Sequence, residues 1–387
     1  MFAAGVPFLS AALSVAFPAE GQKLPAVERT YVIGAVQSGA QAPLTVNSAT
    51  TDVWRTGAFL AMTTVAPGTN TLEVVCGSER LVRSFVVAEP PKPGAWKPFK
   101  PVKSEQDPRL GKPCAWRTKG TLFMNRVRPC PDDGDALYYL PPQFSLRGAE
   151  VKGTDWIAVW LEGKMGYLPP TSLVKTPAAP LPSAEQAAPD PAAGFPDRPP
   201  YGVPPSAVRI LIDPGHGGSD TGAISPRGWC EKDVNLLQAL AVRDALKNAG
   251  FQVLMTREDD SFPSLYSRPK LAYDERVDAF ISVHHNATRA DRNPRETRHT
   301  TTYASNEKGL ALAAAIQKRV AEALPDITNA GAQTKSFAVC RNPAVPSCLI
   351  EVDFINLPEG EEASWDPERQ RKVAAAVVRG VQDWMHE

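Results

Sequence analysis

Hydrophobic and polar positions divide the 387-residue chain into stretches of different periodicity. From Leu13 to Glu89 the apolar residues alternate, at Leu13/Val15/Phe17, Leu44/Val46, Leu72/Val74 and Phe85/Val87, with turn residues such as Ala66-Pro67-Gly68-Thr69-Asn70 between the runs. Period-two patterning broken by glycine and proline predicts short half-buried strands. Residues 90–112 are rich in proline and lysine and read as an extended spacer. A second all-β stretch follows over residues 113–175, marked by Leu140-Pro141-Pro142, Asp155-Trp156-Ile157-Ala158-Val159 and Gly166-Tyr167-Leu168. Residues 176–206 are rich in proline and alanine, without periodicity, and predict a flexible tether.

From Ala207 the pattern changes. Val208–Ile212 is a run of branched residues that stops at Asp213-Pro214-Gly215-His216-Gly217-Gly218, the signature of a buried strand feeding a tight turn. Glu231 to Ala249 has helical period, with Val234, Leu237, Leu240, Ala241 and Leu246 as its stripe and Gly250 as its stop. Strands are expected at Phe251–Thr256, Ala279–Val283, Thr300–Tyr303 and Cys348–Val352. Helices are expected at Pro269–Val277, Gly309–Leu324 and Pro367–Met385. Alternation of this kind predicts an α/β domain over residues 207–387, with a mostly parallel, roughly six-stranded sheet covered by helices. The fold class is therefore multidomain: two small all-β modules, then an α/β domain.

Composition narrows the function. With 42 basic and 42 acidic residues the formal net charge is zero, which gives no support to a nucleic-acid or polybasic membrane role. No long apolar run follows the first few residues, so no transmembrane helix is expected. Residues 1–12 leave two readings open. Phe2 to Phe17 is apolar and small-residue rich, as a signal segment is, but Pro7 interrupts it and no Lys or Arg precedes it. Otherwise Leu13–Phe17 is simply the first strand. Six cysteines show no metal-ligand spacing. Cys340 and Cys348 flank a short proline-containing loop, and a bridge there is expected to stabilise by roughly 2–3 kcal/mol.

Four residues at strand or helix ends carry candidate chemistry: His216, Glu231, His284 and Glu351. Two histidines and a carboxylate form a three-ligand set for catalytic zinc, and one further carboxylate suits a general base. Glu351 stands out because a charge inside Cys348-Leu349-Ile350-Glu351-Val352 is costly unless it is paired or used. Each residue also has a plain alternative. Glu231 near a helix N-terminus is favoured by the helix dipole. His284 and His285 are strand neighbours facing opposite ways, so at most one is a ligand. The glycine loop lacks the Gly-Lys-Ser/Thr of a phosphate-binding loop.

These motifs resemble zinc-dependent N-acetylmuramoyl-L-alanine amidases. The resemblance runs through Asp213-Pro214-Gly215-His216-Gly217-Gly218, Gly228-Trp229-Cys230-Glu231, Thr256-Arg257, Ser282-Val283-His284-His285-Asn286 and Pro346-Ser347-Cys348-Leu349-Ile350-Glu351. It implies Zn2+ held by His216, Glu231 and His284, Glu351 as the catalytic carboxylate, peptidoglycan as substrate, and a cell-envelope location, periplasmic or extracellular. The alternatives are a zinc peptidase on the stem peptide and a non-catalytic wall-binding protein with this fold. The first β stretch loosely resembles immunoglobulin-like modules. The second resembles bacterial SH3-like domains, in which Trp156 and Tyr167 either face ligand or fill the barrel. Three departures touch the substrate groove rather than the metal set. Asp353 replaces a usual glycine, Arg298-His299-Thr300 replaces a usual Gly-Val-Glu, and Cys340 and Cys348 are unusual. The polar segment Ala287 to Arg298 is too short for an autoinhibitory helix, so activity without an activator is expected.

Overall fold

The computed structural model describes residues 13–37, 42–90, 99–132 and 136–386; the signal-segment reading of residues 1–12 lies outside them. The first module pairs a three-stranded sheet (Leu13–Phe17, Arg29–Val36, Ala58–Thr64) with a five-stranded sheet that includes Leu44–Val46, Gly68–Cys76 and Glu79–Val87. Val15, Val32 and Phe59 from one sheet meet Leu72, Val74 and Phe85 from the other in a shared core. Arg29–Val36 does not alternate, because it is buried on both faces. Its second face, with Tyr31, Ile33 and Leu60, packs on Phe354 and Leu357 of the C-terminal domain.

The second module is a five-stranded antiparallel sheet with a short ribbon, Arg126–Val127 against Tyr138–Tyr139. Its inner strand Ile157–Leu161 is buried throughout, with Val159 in one core and Trp160 in another. Tyr167 is 1% exposed and fills that second core, so it faces no ligand; Trp156 is half-buried at the rim.

Neither spacer is free along its described length. Val102 is buried, and its N–H donates to the Tyr167 hydroxyl at 2.7 Å. In the second spacer, the Phe195 ring stacks on Tyr273 at 5.1 Å, Arg276 donates to the Gly194 carbonyl, and Lys308 pairs with Asp197 at 2.7 Å. Low-periodicity composition misses this because isolated aromatic and alanine contacts leave no repeating signal.

The C-terminal domain holds strands β1 (Arg209–Pro214), β2 (Gln252–Met255), β3 (Ala279–Asn286), β4 (His299–Ala304), β5 (Thr328–Thr334) and β6 (Ser347–Phe354). Their spatial order is β2-β1-β3-β6-β4-β5. Every neighbouring pair is parallel except β6 with β4. The sheet is therefore mixed, and six strands match the expected number. Helices α1 (Glu231–Asn248), α3 (Glu307–Ala323) and α5 (Pro367–His386) build the core on one face with Ile212, Val283 and Ile350. Helix α2 (Ser267–Asp274) and a turn at Ala338–Cys340 cover the other, with Leu211, Phe280 and Leu349. Helix α4 (Pro358–Ser364) follows β6.

Three expectations need correction. The buried face of α1 is Val234, Asn235, Gln238, Ala239, Val242 and Leu246, while Leu237 is 40% exposed. Two polar residues belong to the core side, since Asn235 serves the site described below and Gln238 donates to the Gln370 carbonyl at 3.0 Å, and an apolar count cannot register that. Strand β5 was not expected, since Thr-Asn-Ala-Gly-Ala-Gln-Thr is an exposed edge with almost nothing apolar to repeat. The Cys340–Cys348 bridge is absent, and all six cysteines are free thiols. Cys348 points into the core under α1, α3 and α5, while Cys340 lies in the core across the sheet.

Candidate metal centre

β1 ends in a turn that no ordinary residue pattern would adopt without support. His216 has φ +61, Gly217 φ +131 and Gly218 φ +52. A non-glycine residue in the left-handed region is uncommon and persists only when its surroundings over-determine it. Here they do. Arg268 donates to the Pro214 carbonyl at 2.8 Å and to the His216 carbonyl at 2.7 Å. Arg257 donates to the carbonyls of Pro214 at 3.0 Å and Gly215 at 2.8 Å. Fully buried Asp213 anchors the system, accepting from Arg268 at 2.7 Å, Thr256 at 2.6 Å and Ser282 at 2.7 Å. Gly215 must be glycine, because a Cβ there would stand 2.2 Å from the His284 ring.

Three of the four expected site residues converge at this turn. His216, Glu231 and His284 each offer a ligand atom, and all three atoms lie within 4.8 Å of one another. Glu231 Oε1 is 3.2 Å from His216 Nε2 and 3.0 Å from His284 Nδ1. The carboxylate is held from below: its Oε2 accepts from the Ala223 N–H at 2.9 Å, and its Oε1 from Asn235 Nδ2 at 3.1 Å. The position of Glu231 as first residue of α1 thus does more than complement the helix dipole. It lets the carboxylate reach back over the glycine turn while Asn235, one turn later, supports it.

Burial alone would lower the His216 pKa. The hydrogen bond and charge of Glu231, then those of Asp220, more than offset it and raise the value to about 9. Burial would push Glu231 up, but contacts from both histidines hold it well below the usual carboxylate range. The His216 proton thus stands where a cation's charge would. Two imidazoles and one carboxylate, preorganised around a common point, fit a divalent transition metal of the zinc type.

Glu351 reaches the same place from another strand. It is in register with His284 on the adjacent strand, so both side chains leave the same face of the sheet. Its Oε2 is buried and has no hydrogen-bond partner among the described residues. Burial, then the charge of Glu231, raise its pKa well above the ordinary range, and His216 and Lys335 partly oppose the rise. A buried carboxyl oxygen without a partner is costly, and this is the state expected of a group kept to exchange a proton.

His285 turns to the opposite face, as strand alternation requires. It is 1% exposed, its Nδ1 sits 2.9 Å from Asn235 Oδ1, and burial lowers its pKa to about 4. It is a neutral residue beneath the site, not a ligand.

Sequence reasoning did not single out Asp220, Asn235 or Arg268. Asp220 Oδ2 lies 2.9 Å from His216 Nδ1, on the side away from Glu231. The i, i+4 spacing of Glu231 and Asn235 was visible, but nothing distinguished it from a surface pair. Arg268 is separated from His216 by fifty-two residues and signals nothing until the chain folds. The groove departures also prove to be linked. Arg298 donates to Asp353 at 2.9 and 2.8 Å, so two of the unusual residues contact each other, and Arg369 joins them at 3.1 Å.

Residues 210–383 match the family of N-acetylmuramoyl-L-alanine amidases. The germination-specific N-acetylmuramoyl-L-alanine amidase of Bacillus subtilis (strain 168) is 32% identical over 197 residues, covering 47% of this chain and 81% of that protein. The N-acetylmuramoyl-L-alanine amidase AmiA of Escherichia coli (strain K12) is 27% identical over 223 residues, covering 46% of this chain and 76% of its own length. Among solved structures, the amidase AmiC2 of Nostoc punctiforme is similar at 31% identity, over 46% of this chain and 98% of that one, with a TM-score of 0.44.

Proposed function

The chain belongs to the N-acetylmuramoyl-L-alanine amidase family, and from that premise we propose that it is a zinc-dependent peptidoglycan hydrolase of the bacterial cell envelope. Its reaction is hydrolysis of the amide joining the lactyl group of N-acetylmuramic acid to the L-alanine of the stem peptide. The observation that carries the reading is the three-donor cluster of His216, Glu231 and His284 with the Glu351 carboxyl on a neighbouring strand, whose buried Oε2 has no hydrogen-bond partner among the described residues.

His216, Glu231 and His284 would hold the metal. Zinc bound there supplies Lewis acidity, polarising a carbonyl and making a water easier to deprotonate. Asn235 and the Ala223 N–H keep Glu231 oriented, and Arg257 and Arg268 keep the His216 turn in its strained form. Glu351 accepts a proton from the attacking water and passes it to the amide nitrogen as the C–N bond breaks. The products are a muramoyl carboxylate and a free α-amine on L-alanine. A carboxyl with a raised pKa suits this double duty near neutral pH.

The upstream modules are read as an immunoglobulin-like sandwich over residues 13–89 and an SH3-like barrel over residues 113–175, both holding the enzyme on the wall. No helix among the described residues is long and apolar enough to cross a membrane. Work in the wall places the protein outside the cytoplasm, periplasmic or extracellular.

The test is digestion of purified muropeptides followed by mass spectrometry, with and without chelator and added zinc. Release of intact stem peptides starting at L-alanine is expected, with loss in chelator and recovery with zinc. Cuts inside the peptide would instead identify a peptidase, and binding to wall without any product would identify a non-catalytic wall protein.

A further inference from the structure

Glu361, on α4, is a fully buried carboxylate that stands outside the three-donor cluster. Its side chain accepts three hydrogen bonds: from the Ser225 hydroxyl at 2.6 Å, from the Arg227 N–H at 3.0 Å and from Arg227 Nε at 3.0 Å. A buried charge is costly unless it is paired and hydrogen-bonded. Here all of that pairing is directed at one loop, residues 225–227, which lies more than one hundred and thirty positions earlier in the chain.

The loop is the tip of a short hairpin that ends in a metal donor. Pro226-Arg227-Gly228 makes the turn. The Gly228 N–H donates to the Ser225 carbonyl at 2.9 Å, the Ser225 N–H donates to the Trp229 carbonyl at 2.9 Å, and Gly228 takes the left-handed φ of +84 that closes a three-residue connection. Ile224 and Cys230 pair next. At the base, the Glu231 N–H donates to the Ala223 carbonyl at 2.9 Å, and the Ala223 N–H donates to Glu231 Oε2 at 2.9 Å. The arm opposite Glu231 therefore holds both its backbone and its carboxylate.

The tip is fastened through groups that belong to both arms. The Ser225 hydroxyl donates to Glu361 and accepts from the Trp229 N–H at 3.0 Å. The Arg227 guanidinium lies over the Trp229 ring at 4.0 Å, and that ring meets Trp365, just past α4, edge-on at 4.4 Å. Asn235 supports Glu231 Oε1 from within α1. The hairpin supplies the separate support of Oε2, and Glu361 is what fixes the hairpin to the rest of the fold.

We propose that Glu361 is a positioning residue of the metal centre: by clamping the tip of hairpin 223–231 it fixes the arm from which Ala223 orients the Glu231 carboxylate. The proposal rests on the reading of His216, Glu231 and His284 as a zinc site. A ligand oriented in advance loses less freedom when metal binds, so partners behind a ligand tune affinity without touching the ion.

The experiment is equilibrium zinc titration of the full chain against a chromophoric chelator, with metal-free melts run beside it. Glu361→Gln keeps the volume and removes the charge that pairs with Arg227. Ser225→Ala removes the hydroxyl contact from the hairpin side. Each should weaken zinc binding by about tenfold or more, the scale for a lost partner behind a metal ligand, in a chain that still melts cooperatively. Glu362→Gln is the control. It makes the same change one residue along α4, on a carboxylate that accepts from Trp54 at 2.8 Å and Arg55 at 3.0 Å instead, and its zinc affinity should equal wild type. If Glu361→Gln does not fold, Ser225→Ala carries the test against the same control. Wild-type zinc affinity in the folded variants overturns the role, and so does an equal loss in Glu362→Gln. A wild-type chain that binds no zinc removes the metal reading together with the proposal, whereas zinc-binding wild type with unaffected variants removes the positioning role alone.

Discussion

Glu231 and Glu351 are the same residue type in one site, and exchanging each for glutamine separates their roles. Glu351→Gln keeps the shape and replaces a carboxyl whose Oε2 has no partner and whose pKa is already raised well above the ordinary range by burial and by Glu231. Little charge is lost from the metal-free fold, so its stability should stay within about 0.5 kcal/mol of wild type, as for a benign substitution. Metal content should stay near wild type, because the three-donor cluster excludes Glu351. Turnover should fall by about 10²–10⁴-fold, the range for a lost general acid–base group. Glu231→Gln is a different perturbation. It removes a carboxylate that touches both histidines and accepts from the Ala223 N–H and Asn235. Charged hydrogen bonds of this kind are worth about 1.5–3 kcal/mol each, so metal affinity and stability should fall together, with activity partly restored by excess zinc. The assay is metal stoichiometry, denaturant melts and muropeptide release, run on both variants. Metal loss in Glu351→Gln with retention in Glu231→Gln would refute the assignment, as would near-normal turnover in Glu351→Gln.

Other consequences follow from the same geometry. Asp353→Ala leaves Arg298 and Arg369 without their buried carboxylate, which should cost about 3–5 kcal/mol and lower the melting temperature by roughly 10 °C; an unshifted melt would show that the network contributes nothing. His285 is held neutral by burial with a pKa of about 4, against about 6.5 unfolded, so the unfolded chain takes the proton first as pH falls. Stability contributed by this residue is therefore complete above about 6.5 and lost toward 4, on the order of 3 kcal/mol in full; denaturant melts of wild type and His285→Gln across that window should show a shallower slope in the variant. The full chain should digest peptidoglycan without an activator, since the segment between Asn286 and His299 contains only the single turn Pro294–Thr297; strict dependence on an added protein in a purified assay would contradict this.

Much of the site was legible in the amino-acid order, because its chemistry is local there. Asp213-Pro214-Gly215-His216-Gly217-Gly218 announces a strand, a tight turn and a histidine together, Glu231 opens a strongly periodic helix, and Glu351 is a charge inside an apolar run. Each breaks a local pattern, and a broken pattern is what sequence reading detects. Tertiary structure decided everything that depends on distance between elements. It placed Glu351 beside His284 through parallel register and turned His285 away to Asn235. It brought Arg268 across the fold to hold the His216 turn, joined Arg298 to Asp353, and put Cys340 and Cys348 on opposite sides of the sheet. It also packed both spacers and the first sandwich onto their neighbours. Those contacts join residues tens to hundreds of positions apart and repeat with no period. Their energy exists only once the sheet order is set, so no window along the chain contains them.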